Sequence, residues 1–170
     1  MKNILIALVL IFSAATMQAQ DIFAAARTNN VTQLKQMIAD KVDINQANPK
    51  GFTPLILAVY NNNADAVQLL LSNGANPNAQ DTSGNNALMG SVFKNLPQMA
   101  KLLLENKADV NQLNTNGAST LIFAATFGKP EIVKLLLDAG ADKTIKDNRG
   151  KTALDHVTMQ ENTELIALLK

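Results

Sequence analysis

The chain has 170 residues, no cysteine, no tryptophan, one histidine, one tyrosine and a formal charge of +1. Without cysteine it has no disulfide, thiolate metal ligand or cysteine nucleophile. A near-neutral chain also lacks the field that gathers nucleic acid or anionic lipid, so neither is expected as a partner.

The chain opens as an address. Lys2 gives one positive charge, residues 4–12 are unbroken apolar, and Ser13, Ala14, Ala15 and finally Ala19 are small. This is the pattern of a secretory signal peptide, and it stops well short of the ~20 apolar residues that span a bilayer. Residues 1–19 are therefore predicted to be removed, with a cut after Ala15 as the alternative site. The competing reading is an uncleaved anchor or a buried N-terminal helix. Cleavage implies a periplasmic or secreted protein with no membrane contact once the signal is gone. Without Lys2, basic and acidic residues balance at 14 each.

A step of 33 residues governs everything that follows. Gly51, Gly84, Gly117 and Gly150 keep it, as do Leu55, Leu88, Leu121 and Leu154. So do the triplets 69–71, 102–104 and 135–137, and Ala75, Ala108 and Ala141. Within one unit, Thr53 and Pro54 suit a helix start, through a hydroxyl acceptor and a residue without a donor. Leu55, Ala58 and Val59 mark one helical face, and residues 61–63, all asparagine, end it. A second helix is predicted from about Asp65 to Ser72, with Val67, Leu70 and Leu71 inward and Gly74 stopping it in the left-handed conformation. Asn76-Pro77-Asn78 begins an extended excursion, and residues 81–84 make a tight turn into the next unit. Helices of about eight residues are not stable alone in water, so neighbouring copies must cover one another.

This pattern resembles the ankyrin repeat, a 33-residue unit carrying T-P-L-H-x-A. The matching residues are Gly51-Phe52-Thr53-Pro54-Leu55-Ile56-Leu57-Ala58 and Gly117-Ala118-Ser119-Thr120-Leu121-Ile122-Phe123-Ala124. The later block reads Val133-Lys134-Leu135-Leu136-Leu137-Asp138-Ala139-Gly140-Ala141-Asp142. The resemblance implies an all-α solenoid of stacked helix-turn-helix pairs with β-turn or hairpin fingers, filling residues 20–170. The units run over about 21–48, 49–81, 82–114, 115–147 and 148–170, the first and last being caps. Ile56, Met89, Ile122 and Asp155 replace the family's histidine, so its Thr–His hydrogen bond is lost. The third unit is the least regular. Asn85-Asn86-Ala87 replaces the Thr-Pro block, Gly90 sits inside a helix, and Lys107 stands where glycine is usual. It is expected to be the weakest unit, though folded.

Catalytic, cofactor and metal chemistry are not expected. His156 neighbours Asp155, but adjacent helical side chains diverge, and its match to Leu57 predicts a packed or half-buried ring. Asp43, Asp109 and Asp142 recur one repeat apart instead of within one 12-residue calcium loop, which predicts turn formation. No glycine-rich phosphate loop occurs. Asn30-Val31-Thr32 fits the glycosylation acceptor pattern, which is too common to weigh. Lys143, Lys146, Arg149 and Lys151, interleaved with aspartates, read as a solvated edge or a local docking patch.

What the resemblance implies about function is a monomeric module that binds a protein partner, using the turn tips and the exposed side of the first helices. Carried over by register, the contact residues are Lys50, Phe52, Tyr60, Asn61, Asn85, Phe93, Lys94, Phe127, Arg149 and Lys151. Ser83, Asn116, Ala118, Thr126, Met159 and Gln160 complete the set, and Phe123 is expected in the core. Aromatic residues dominate interface hot spots, so Phe52, Tyr60, Phe93 and Phe127 are read as an exposed row. The competing reading has these rings packing between repeats and filling the gap at Gly90. The leading function is an envelope scaffold. An inhibitor or immunity-type protein masking a toxin or enzyme is the alternative, and an enzyme the remote one.

Overall fold

The computed structural model describes residues 22–127 and 129–170; the expected signal peptide lies outside the described residues. Among them are ten helices in five pairs. They are α1 (residues 22–27), α2 (Val31–Ala39), α3 (Pro54–Tyr60), α4 (Ala64–Ser72), α5 (Ala87–Phe93), α6 (Pro97–Glu105), α7 (Thr120–Thr126), α8 (Pro130–Asp138), α9 (Ala153–Met159) and α10 (Thr163–Leu169).

The first helices α3, α5, α7 and α9 each start where a short polar side chain can accept a first-turn N–H group. Thr53 Oγ1 accepts from Ile56 N at 3.2 Å, Ser119 Oγ from Ile122 N at 3.3 Å and Thr152 Oγ1 from Asp155 N at 3.2 Å. In the irregular third unit Asn86 takes over, its Oδ1 accepting from Met89 N at 2.9 Å. The substitution keeps the cap, which is why the loss of Thr-Pro there does not unmake the helix. Both helices end in left-handed residues. Asn29, Asn62, Asn95 and Glu161 (φ 55–56°) turn the chain between helices, and Lys41, Gly74, Lys107 and Gly140 (φ 59°, 87°, 67° and 85°) end the second helix of the first four units.

The helices form two layers. Along the first, α3 packs on α5, α5 on α7 and α7 on α9; along the second, α2 packs on α4, α6 on α8 and α8 on α10. The α4–α6 seam is sparser, and a cleft of about 380 Å³ opens there between Ala64, Leu96, Pro97 and Leu102. Leu55, Leu88 and Leu121 are at most 1 % exposed, and Leu70, Leu103 and Leu136 are fully buried. One leucine per helix thus fills the space between layers, each burial stabilising by ~1.5–3 kcal/mol. Ala58 and Ala124, also fully buried, let the first helices approach closely.

Fingers connect the units. Residues 48, 81, 114 and 147, alternately Asn and Asp, organise each one. Their Oδ1 atoms accept from the backbone N–H groups two and four residues on, as in Asp81 with Ser83 N (2.8 Å) and Asn85 N (2.9 Å). Successive fingers are tied by one backbone bond each: Thr82 N to Lys50 O, Thr115 N to Ser83 O and Asn148 N to Asn116 O, at 2.9–3.1 Å. The fingers are turns instead of hairpins: among the described residues the only bridge is an isolated one between Leu113 and Ser119. Two sheet-forming stretches never face each other long enough to pair.

A second tie runs behind the fingers. Asn45, Asn78 and Asn111 each offer Oδ1 to the backbone N–H of the next unit, at Asn76, Asp109 and Asp142, over 2.7–2.9 Å. The recurring Asp43, Asp109 and Asp142 carboxylates cap turns, accepting from Asn45, Asn111 and Thr144 N at 2.8–2.9 Å.

Candidate functional site

The finger-and-first-helix face carries the only extended run of aromatic rings among the described residues. α3 presents Tyr60, α5 presents Phe93 and α7 presents Phe123, with Phe127 capping α7 and Phe52 on the finger ahead of α3. The ring centroids lie 5.9 Å apart for Phe52–Tyr60, 6.3 Å for Tyr60–Phe93 and 5.7 Å for Phe93–Phe127, the last pair edge-to-face. These are the separations at which aromatic pairs attract. The stacking of units thus turns four residues scattered over the sequence into one stripe.

The stripe is not uniform. Phe93 is 53 % and Phe127 42 % exposed, whereas Phe52 and Tyr60 are half-buried. The Tyr60 ring lies over Gly90: a β-carbon added there would stand 2.9 Å from Tyr60 Cε2. Gly90, a helix-weakening residue by propensity, is therefore the socket for Tyr60. Both readings of the row hold, one at each end: Tyr60 fills a gap, while Phe93 and Phe127 face solvent. Burial, with a smaller push from the Asp81 carboxylate, raises the Tyr60 phenol above its ordinary pKa.

Phe123 keeps its expected contact with the core only in part. It is half-buried and joins the row, its ring 4.9 Å from Phe127. Its register matches Leu57 and Gly90, and its inner side packs against the buried core. Ala118 is buried at 8 % exposure and offers no partner contact; its N–H and C=O close the finger onto Asn114.

The polar candidates divide likewise. Lys50, Lys94, Arg149 and Lys151 are exposed on this face. Asn61 uses its amide to bond Leu57 O at 2.8 Å, and Asn85 Oδ1 accepts from Asn114 Nδ2 at 3.0 Å. Both contacts tie the scaffold, Asn61 as a donor and Asn85 as an acceptor. Asn116 is exposed, as are Ser83, Thr126, Met159 and Gln160, though Gln160 Nε2 bonds Thr126 O at 3.0 Å.

A groove of about 370 Å³ lies where the row meets the last finger, floored by Ile122, Phe123 and Phe127 and rimmed by Asn116, Arg149 and His156. Half-buried His156 does not pair with its neighbour Asp155. Its Nε2 stands 2.8 Å from Asp147 Oδ2, and both side chains are nearly enclosed. Asp147 is held down to a pKa of about 2, first by the Lys151 N–H, with smaller help from His156 and the Arg149 N–H. An ionised carboxylate can only accept, so His156 Nε2 carries the hydrogen. Asp155 instead completes a capping box with Thr152, accepting from its N–H and hydroxyl at 2.8 Å. Positions 48, 81, 114 and 147 keep the 33-residue step, but alternate between Asn and Asp. Asn and Asp share an acceptor atom but not a letter.

Among the described residues no helix is long and apolar enough to cross a membrane. The family model described as ankyrin repeats in 3 copies matches residues 22–114 and again 88–170. No curated protein matches the chain. The matched segments take in all five helix pairs and the fingers between them, and the chain belongs to the ankyrin-repeat family.

Proposed function

We propose that this protein is an envelope scaffold, periplasmic or secreted after loss of residues 1–19, that captures a protein partner on its finger-and-first-helix face. Ankyrin repeats generally mediate protein–protein interaction. The observation that carries the reading is the aromatic stripe, with Phe93 and Phe127 about half exposed towards its carboxy-terminal end. Large exposed rings in contact with one another offer a desolvatable patch at small conformational cost. Arg149, Lys151, Lys94 and Lys50 flank the stripe as polar rim.

The test is capture by the tagged protein from an envelope extract of its source. Phe93→Ala with Phe127→Ala should abolish recovery of the partner while the melting temperature moves by only a few degrees. Retention of the partner by the double variant would sink the assignment. Tyr60 is a poorer probe, because its ring also packs on Gly90. Amino-terminal sequencing of the mature protein should begin at Gln20, and an intact Met1 would overturn the cleavage reading.

A further inference from the structure

The same face, on the reading that it binds a partner, carries an unbalanced charge pattern that specifies the partner's chemistry. Lys50, Lys94, Arg149 and Lys151 are all exposed there. Among the described residues, the carboxylates of the fingers and first helices are Asp81, Asp147 and Asp155, and each is already engaged. Asp81 accepts from two backbone N–H groups of its own finger. Asp147 does the same on its own finger and is closed off by His156. Asp155 is bound by Thr152. Of the four glutamates, Glu105, Glu131 and Glu164 lie exposed on the second helices, on the other layer, and Glu161 in the turn between α9 and α10.

We infer that the groove beside Phe127 takes an apolar side chain from an acidic, extended segment of the partner, with a neighbouring carboxylate of that segment held by Arg149. The groove's floor of Ile122, Phe123 and Phe127 favours apolar atoms. Its volume of about 370 Å³ has room for a side chain of leucine or phenylalanine size together with its neighbouring chain, and is too small for a folded element. The Arg149 side chain is 80 % exposed at the mouth. It approaches Asp147 only through Nε, at 3.7 Å, and Asp147 has its donors elsewhere. The guanidinium fork is thus presented to solvent above an apolar floor. That is the geometry in which arginine recognises a carboxylate in two-point fashion. Lys151, Lys94 and Lys50 extend positive charge along the stripe, which orients an acidic chain along it and speeds its arrival.

The test is selection of a random twelve-residue peptide display library on the immobilised full chain. Selected peptides are then measured by fluorescence anisotropy at low and high salt. Enriched sequences should carry a leucine or an aromatic residue flanked by aspartate or glutamate. Their affinity should fall at least tenfold with Arg149→Glu and with Phe127→Ala, fall with added salt, and stay unchanged with Lys35→Glu on α2. Unchanged far-ultraviolet circular dichroism shows that each variant is folded. Enriched peptides that lack acidic residues, ignore Arg149→Glu and are lost with Phe93→Ala would overturn the inference while leaving partner capture on this face intact. Absence of any enrichment, or binding insensitive to both Phe93→Ala and Phe127→Ala, would overturn it together with that reading.

Discussion

Thr120 stands where Pro54 stands in the second unit, at the first residue of its helix, and its hydroxyl is the one buried side-chain oxygen without a partner among the described residues. A first-turn N–H is unpaired in any helix, so proline loses nothing there. Ser119, with ψ 166°, already has the extended backbone that a following proline requires. Thr120→Pro should stabilise by about 1 kcal/mol, through unfolded-chain entropy and removal of the orphan hydroxyl. Thermal melting should show the midpoint rising by roughly 2–4 °C; a fall would mean that the hydroxyl is bonded after all. Asp147 offers a different test. Its pKa is depressed from 3.8 to about 2, so its ionised form contributes stability that is complete above about pH 4 and drains away as pH falls towards 2. Asp147→Asn keeps the Oδ1 acceptor, as Asn48 and Asn114 do in their own fingers, and removes only the charge. Urea midpoints of the variant should lie below the wild type at pH 7 and approach it near pH 2.5. Asp142 and Asp155, also depressed by Thr144 and Thr152, leave a residual acid slope in both. Parallel curves would dismiss the carboxylate as a contributor.

The fingers show how neighbouring units read one another. Gly84 and Gly150 share a left-handed backbone, φ 74° and 73°, but not an environment. A β-carbon on Gly84 would stand 2.6 Å from Thr115 N, whereas one on Gly150 meets nothing within 4 Å. Alanine at Gly150 should therefore cost only the left-handed conformation, about 1–2 kcal/mol. Alanine at Gly84 should cost that and the displacement of the next finger besides. Chemical denaturation of the two variants separates the terms, and equal losses would show that the inter-finger bonds are slack. These glycines were legible in the sequence because a backbone requirement repeats with the unit. So were the helices, the threonine and serine caps and the inward leucines, since each follows from local chemistry and spacing. Partnerships were not. That His156 would turn to Asp147, nine residues back, depends on where the last finger folds over α9. That Gly90 would seat Tyr60 depends on contact between units. Phe123 joined the stripe and Ala118 left it for the same reason: register assigns a direction to a side chain, while its neighbours decide how far it is buried.

In a stacked array each unit touches only its neighbours, so the position of a lesion decides how much of the molecule it disturbs. Leu103 on α6 and Leu165 on α10 are both fully buried, and truncating either to alanine should remove ~2–5 kcal/mol. Their consequences differ. Leu165 belongs to the last pair, which packs on α8 and α7 and has no unit beyond it among the described residues. Leu165→Ala should let that pair unfold ahead of the rest, giving a broadened or two-step urea transition whose second step keeps the wild-type midpoint. It should also loosen the groove, because Arg149 and His156 belong to the finger and helix that come away first. Leu103 sits in the third unit, where the α4–α6 seam is already the sparser one, so Leu103→Ala removes support from both sides at once. Its transition should shift to lower urea as a whole, or split the chain into halves neither of which keeps the wild-type midpoint. Circular dichroism followed alongside Tyr60 fluorescence tells these apart, since Tyr60 lies on the amino-terminal side of both lesions and should hold its wild-type midpoint only in Leu165→Ala. If both variants melt with one sharp transition at the same urea concentration, the units are coupled more tightly than nearest-neighbour stacking allows, and the loose seam has no energetic meaning.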